Sequence, residues 1–193
     1  VIFTDYFDKD EEFADIGEYG KYNPSFLAVA SNSSLCLSSI FLGIAESANE
    51  IAVTAIMERQ GGARDPMNQV SVAENEIDLA TTRAVLERSS QSFDDFYQTD
   101  ETVEKAPGIE NSTETAFKLI KNSAVAKKFV METSVAIVDR AIMLYGGGGF
   151  LANNTLARLY RDVRAGPLMQ PWARNQAIEF IGKVALGLAP NDE

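Results

Sequence analysis

Leu37, Ile40, Phe41, Ile44, Ala48, Ile51, Ala52 and Ala55 recur at steps of three and four residues, the period that lines up one face of an α-helix. The spacing predicts a first helix over 24–59, with Pro24 in its first turn and Gly61-Gly62 ending it. At 1.5 Å per residue it is roughly 50 Å long, a length typical of bundles and coiled coils. Val72, Leu79, Leu86 and Phe93 stand seven residues apart and predict the seam of a second helix over 66–97. Residues 98–112 carry Pro107-Gly108 and many charges and read as a loop. Ser112 or Thr113 starts a third helix, with Leu119, Ala126, Val130, Ile137, Ala141 and Leu144 on its inner face. Val125, Phe129 and Ala136 lie on its other faces, which makes this helix central. A short helix over 155–164 stops before Gly166-Pro167, and Pro171 opens a last helix with Ala177, Ile181, Val184 and Leu188 on one side. Strand-like alternation is almost missing. The chain therefore reads as all-α, an up-down four-helix bundle with one short extra helix spanning 24–193. Residues 1–23 read as an acidic, aromatic connector whose first three residues suit the end of a strand, and the acidic run 8–12 as solvated.

Composition narrows the partners. Of 193 residues, 46% are hydrophobic, enough for one sizeable core. Seventeen basic against 28 acidic residues give a formal charge of −11, which argues against nucleic acid and anionic membranes as main partners. No continuous apolar run of about 20 residues predicts a membrane-spanning helix. The chain has no histidine, which excludes Ser-His-Asp and Cys-His catalysis and histidine-bound zinc within it. No metal is expected, the pair Glu74 and Glu76 lacking any ligand spacing. A single cysteine, Cys36, fits a reducing, cytoplasmic setting, and its neighbours Leu35, Leu37 and Ile40 predict a buried, inert thiol. A first residue other than Met suggests that the chain begins inside a longer protein.

The chemistry concentrates in Asp139-Arg-Ala-Ile-Met-Leu-Tyr-Gly-Gly-Gly-Gly-Phe150 and Leu156-Ala-Arg-Leu-Tyr-Arg-Asp-Val-Arg164. An apolar helix ends in four glycines, and an arginine-bearing helix restarts with Asn153 or Asn154 as its N-cap. Such a turn suits a phosphate-bearing ligand, and equally a plain glycine cap and loop. Arg158, Arg161, Arg164 and Arg174 suit either an anion-facing set or surface ion pairs such as Arg158 with Asp162.

From 24 to 188 the chain resembles the C-terminal helical domain of acyl-CoA dehydrogenases and their flavin-dependent relatives. Gly43-Ile-Ala-Glu-Ser-Ala-Asn-Glu50, the ending Glu58-Arg59, Ala141-Ile-Met-Leu-Tyr-Gly-Gly-Gly-Gly-Phe150 and Leu159-Tyr-Arg-Asp-Val163 carry the likeness. The resemblance implies a larger subunit in which 1–23 is the tail of a preceding β domain. It also implies FAD, an acyl-CoA or related small-molecule substrate, an electron-transfer partner, and homodimers paired into homotetramers in which this domain serves a neighbour's flavin. On that expectation the 193 residues alone are inactive. The resemblance assigns cofactor binding to Arg59, against the FAD pyrophosphate, to Gly146 and Gly147, against its adenosine end, and to Trp172 and Arg174, where the family often touches flavin. Met143 stands where many members have a cofactor-binding glutamine.

The family's catalytic carboxylate does not carry over. Counting from Arg161 puts Gln170 at that position, and an amide is no base near neutral pH. The alternative position falls on Ser33, and the arginine beside it on Ser34. These serines lie where the family borders the acyl pocket, and close helix packing explains such small residues equally well. Three readings stay open: a dehydrogenase of fatty acid metabolism with its base elsewhere, a flavin-dependent monooxygenase that needs no α-proton base, and a base-less subunit supporting an active partner.

Overall fold

The computed structural model describes residues 24–98, 112–170 and 174–188, and among these it is entirely helical apart from turns. Helix α1 spans Pro24–Glu58, α2 Pro66–Gln98, α3 Ser112–Tyr145, α4 Thr155–Val163 and α5 Arg174–Ala185. The up-down bundle with one short extra helix is therefore observed. The expected connector 1–23, most of the 98–112 loop and Trp172 lie outside the described residues.

Helix α3 is the hub and touches α1, α2, α4 and α5. It runs parallel to α1, because Arg59 just past α1 meets Tyr145 at the end of α3. Helix α2 runs the other way: Glu46 pairs with Arg83 and Asn49 with Asn75. Helix α5 is antiparallel to α3, with Arg174 at Glu132 and Phe180 packed edge-on against Phe117. The main core joins Phe41, Ala45, Ala48, Ala52 and Ile56 of α1 to Val130, Met131, Ile137, Val138 and Ala141 of α3. Alanines along α1 let the two backbones approach, and each large apolar side chain buried there contributes about 1.5–3 kcal/mol. By length and composition the stretch Ser33–Glu58 is apolar enough to cross a membrane, with a mean hydropathy of 1.4. Here its apolar face packs against α3, and Asn49, buried within it, is hydrogen-bonded to α2.

Three side-chain placements differ from the expected ones. Cys36 is exposed rather than buried, and so is Ile40. Both lie on the stripe 36–40–43, which turns away from Phe41 and Leu42 by one helical step. Leu188 is also exposed, because α5 ends at Ala185 and Phe180 fills the inner position instead.

Buried polar side chains cross the helices. Arg140 Nε donates to Asn75 Oδ1 at 2.7 Å, Asn75 Nδ2 to Asn49 Oδ1 at 2.9 Å, and Asn49 Nδ2 to Glu76 Oε1 at 3.0 Å. Arg140 is also ion-paired with Asp78 and lies 3.9 Å from Glu74. This chain fixes the register of three helices at once, since a slip of any one strands a buried donor or acceptor.

Candidate cofactor site

The turn from α1 to α2 is built to present Arg59. Gly62 N donates to Arg59 O at 2.9 Å, and Asn68 Nδ2 donates to Gly62 O at 3.0 Å. A Cβ on Gly62 would strike the carbonyl oxygen of Ile56, so only glycine closes this turn. Asp65 then caps α2, its Oδ1 accepting from Met67 N at 2.9 Å, with Pro66 at the first helical position.

Arg59 Nη2 donates to Tyr145 O at 2.9 Å, the carbonyl that opens the glycine tetrad. Gly146 takes φ 89°, a left-handed conformation that breaks α3, and a Cβ there would lie 4.0 Å from Arg59 Nη2. Residues Gly147–Phe150 form one 3-10 turn. Asn154 caps α4 as expected, its Oδ1 accepting from Leu156 N at 2.8 Å while its Nδ2 donates to Gly148 O at 3.2 Å. Arg59, Gly146 and Gly147 are thus brought together from chain segments 86 residues apart.

Beside this corner lies an open groove of about 400 Å³ lined by Asp139, Ile142, Met143, Gly146, Gly147, Phe150 and Tyr160. Met143 is 81% exposed along it. Arg164 closes its α4 side, bonded to Asp139 Oδ1 at 2.6 Å and to Tyr160 Oη at 2.9 Å, with its guanidinium 4.9 Å from the Tyr160 ring centroid. The Asp139 carboxylate, by hydrogen bond and charge, holds the Arg164 proton more tightly than usual. Arg59 thus stands as an exposed cation with donors to spare, beside backbone free of side chains and a largely apolar groove. Those features fit the phosphate end of a flavin nucleotide.

The other expected site residues lie elsewhere. Gln170 is exposed at the end of the α4–α5 connector, and Arg174 opens α5 with its Nε 2.8 Å from Glu132 Oε1. The connector is tied to α3 at Lys127, roughly 30 Å along the helix from Gly146. Ser33 and Ser34 sit in the same upstream half of the bundle. Ser34 is fully buried with its carbonyl accepting from Ser38 Oγ at 2.7 Å, and Ser33 is exposed. The candidate residues therefore form two clusters, one at the C-terminal end of α3 and one about halfway along it, with Trp172 outside the described residues. Of the four arginines weighed as an anion-facing set, Arg164 and Arg174 are ion-paired with Asp139 and Glu132. Arg158 is exposed, and among the described residues it makes no ion pair with Asp162.

One residue escaped the sequence reading. Lys127 is 3% exposed, its Nζ donating to Met169 O at 2.6 Å, and burial pushes its pKa from 10.5 down to about 8. The signal was present: Ile120, Ala124, Met131, Ser134 and Val138 form a second buried stripe of α3, and Lys127 falls in it.

A family model described as "Acyl-CoA dehydrogenase, C-terminal domain" matches residues 35–169. The amino sugar nitrososynthase DnmZ of Streptomyces peucetius is 33% identical over 171 residues, covering 89% of this chain and 40% of that protein. The L-evernosamine nitrososynthase of a Micromonospora species is 30% identical over 181 residues, covering 92% of this chain and 40% of that protein. The crystal structure of KijD3 in complex with FMN and dTDP-3-amino-2,3,6-trideoxy-4-keto-3-methyl-D-glucose superposes with a TM-score of 0.75 at 28% identity, covering 90% of this chain and 40% of that one. The chain thus spans about two-fifths of the length of the relatives it matches.

Proposed function

The chain belongs to the acyl-CoA dehydrogenase family as its C-terminal helical domain, and from that premise we propose that it serves a flavin-dependent oxidoreductase that oxidises the amino group of a nucleotide-linked sugar. Gln170 carries this reading. Dehydrogenation of an acyl thioester needs a carboxylate to take the α-proton, and an exposed amide stands at the family's position for it. Oxidation at an amine nitrogen has no such requirement. The similarity to amino sugar nitrososynthases, and to a structure holding FMN and an amino-sugar nucleotide, points the same way.

Flavin, when bound, supplies the electron transfer. The chain's own part is to hold the nucleotide: Arg59 donates to its phosphates, and the Gly146–Gly147 backbone admits it closely. The groove beside them, walled by Met143, Phe150 and Tyr160, suits a second ring system, which FAD has and FMN lacks. That favours FAD as the cofactor. Because the Arg59 corner and the connector that carries Gln170 lie roughly 30 Å apart along α3, the corner is assigned to the flavin of a neighbouring subunit in a homodimer or homotetramer. Exposed Met143, Phe150 and Leu151 beside it would be covered there.

The test uses the intact protein. A panel of acyl-CoA thioesters is added anaerobically while the visible flavin band is followed. In parallel, a thymidine-diphosphate amino sugar is supplied with reduced flavin and oxygen, and the product is weighed for added oxygen. No bleaching by any thioester together with oxygen added to the sugar is the expected result. Bleaching by a thioester with an unchanged sugar overturns the reading. Neither reaction, with flavin bound and reducible by dithionite, would support the base-less supporting subunit instead.

A further inference from the structure

We propose that Asp139 reads the exocyclic amino group of the base that enters the groove beside Arg59, so that this corner selects adenine over bases that present a carbonyl there. The inference rests on the proposed function only in taking the corner to hold the dinucleotide end of FAD.

The groove is polar at two ends and apolar between them. Asp139, Ile142, Met143 and Gly146 stand at i, i+3, i+4 and i+7, which sets them on one face of α3. At the helix end Arg59 bonds the carbonyl just before Gly146. Asp139 lies seven residues back, roughly 10 Å along the axis. A phosphate at Arg59 and a base edge at Asp139 are thus separated by about the span of a ribose and a purine. Between them stand Met143, Phe150 and Tyr160. The two rings lie 5.7 Å apart between centroids and are tilted by 54°, an aromatic wall for a flat ring system to lie against.

Among the described residues that line the groove, Asp139 alone is charged. Its side chain is 44% exposed, so a ligand can reach it. Arg164 Nη2 donates to its Oδ1 at 2.6 Å, and among the described residues no other side chain donates to it. A carboxylate accepts about four hydrogen bonds, so capacity remains. The next residue, Arg140, turns instead to Asp78 on α2. Arg164 is itself held by Tyr160 Oη at 2.9 Å, which fixes the carboxylate against the groove wall. An acceptor fixed in this way bonds an amino group and repels a carbonyl oxygen. Adenine presents an amino group where guanine and thymine present a carbonyl. The pyrimidine edge of the flavin ring carries carbonyls as well, so the same carboxylate turns the dinucleotide adenine end first.

Fluorescence titration of the intact protein, freed of flavin, tests this with FAD and with an FAD analogue in which hypoxanthine replaces adenine. FAD should bind roughly 3–10-fold tighter than the analogue, the effect of one charge-assisted bond to a partly solvated carboxylate. In Asp139→Ala that ratio should collapse to about one. A merely structural role would weaken both ligands alike and leave the ratio standing. If Asp139→Ala fails to fold, Asp139→Asn decides: its amide accepts from adenine and also donates to the hypoxanthine carbonyl, so the ratio should again fall towards one. Equal affinities in the wild type, or a preference that survives substitution, overturn the proposal and leave the amine-oxidation reading standing, since no sugar is present. Failure of FAD to bind at all overturns the cofactor assignment together with the proposal.

Discussion

Replacing Asn75 with leucine should unlock the three-helix core. Asn75 is fully buried and joins two bonds of the cross-bundle chain, accepting from Arg140 Nε at 2.7 Å and donating to Asn49 Oδ1 at 2.9 Å. Leucine keeps the same number of side-chain heavy atoms and the same branching but cannot hydrogen-bond, so it strands both partners. Asn49 is 6% exposed, so its oxygen loses its bond with little water to replace it, which costs about 1–3 kcal/mol. Arg140 keeps Asp78 and partial water access, so its loss is smaller, about 1 kcal/mol. The sum, about 2–4 kcal/mol, is a large share of a typical domain's 5–15 kcal/mol. Urea unfolding followed by far-UV circular dichroism should show an earlier midpoint with an unchanged slope. Arg140→Met should cost a similar amount. The double variant should be less destabilised than the two losses added, by about 1–2 kcal/mol, because removing both ends leaves fewer stranded groups. A loss below about 0.5 kcal/mol for Asn75→Leu, or additivity within about 0.3–0.5 kcal/mol, would refute the claim that this chain sets helix register.

Gly62→Ala should displace the turn that presents Arg59, since the new methyl meets the Ile56 carbonyl; flavin affinity of the intact protein, read by fluorescence titration, should drop roughly tenfold or more, as for a lost charge-assisted bond. In Lys127→Met, stability relative to wild type should depend on pH. The folded pKa of about 8 lies below 10.5, so the unfolded chain binds more protons between these values and the wild type gains on the variant as pH rises through that window, by up to roughly 3 kcal/mol; urea midpoints with a pH-independent gap would contradict this. Thr82 is fully buried and among the described residues its hydroxyl has no hydrogen-bond partner, so Thr82→Val should raise the thermal midpoint by relieving about 1 kcal/mol of desolvation.

The periodicities alone determined much of this protein. Steps of three and four along α1, the sevenfold spacing Val72–Leu79–Leu86–Phe93 and the inner face of α3 are local signals. Burying such a face is what makes each segment helical, so helix bounds and the centrality of α3 were legible without a fold. The glycine tetrad and a cap at Asn153 or Asn154 were legible for the same reason, because a helix end must satisfy its own backbone within a few residues, whereas Arg59 was singled out only by the family resemblance. Where the reading went astray, it was at the margin of a face: Cys36 and Ile40 are apolar but one helical step off the contact, and periodicity does not say how wide the neighbour is. Only the tertiary structure decided that Arg59 meets Tyr145, that Asn49, Asn75 and Arg140 form one chain, and that Gln170 stands beside the middle of α3, well away from Gly146 at its end. It also decided that Lys127 is buried. A lysine in an apolar stripe can still reach water with its long side chain, and whether it does depends on the connector that lies over it, more than thirty residues further along the chain.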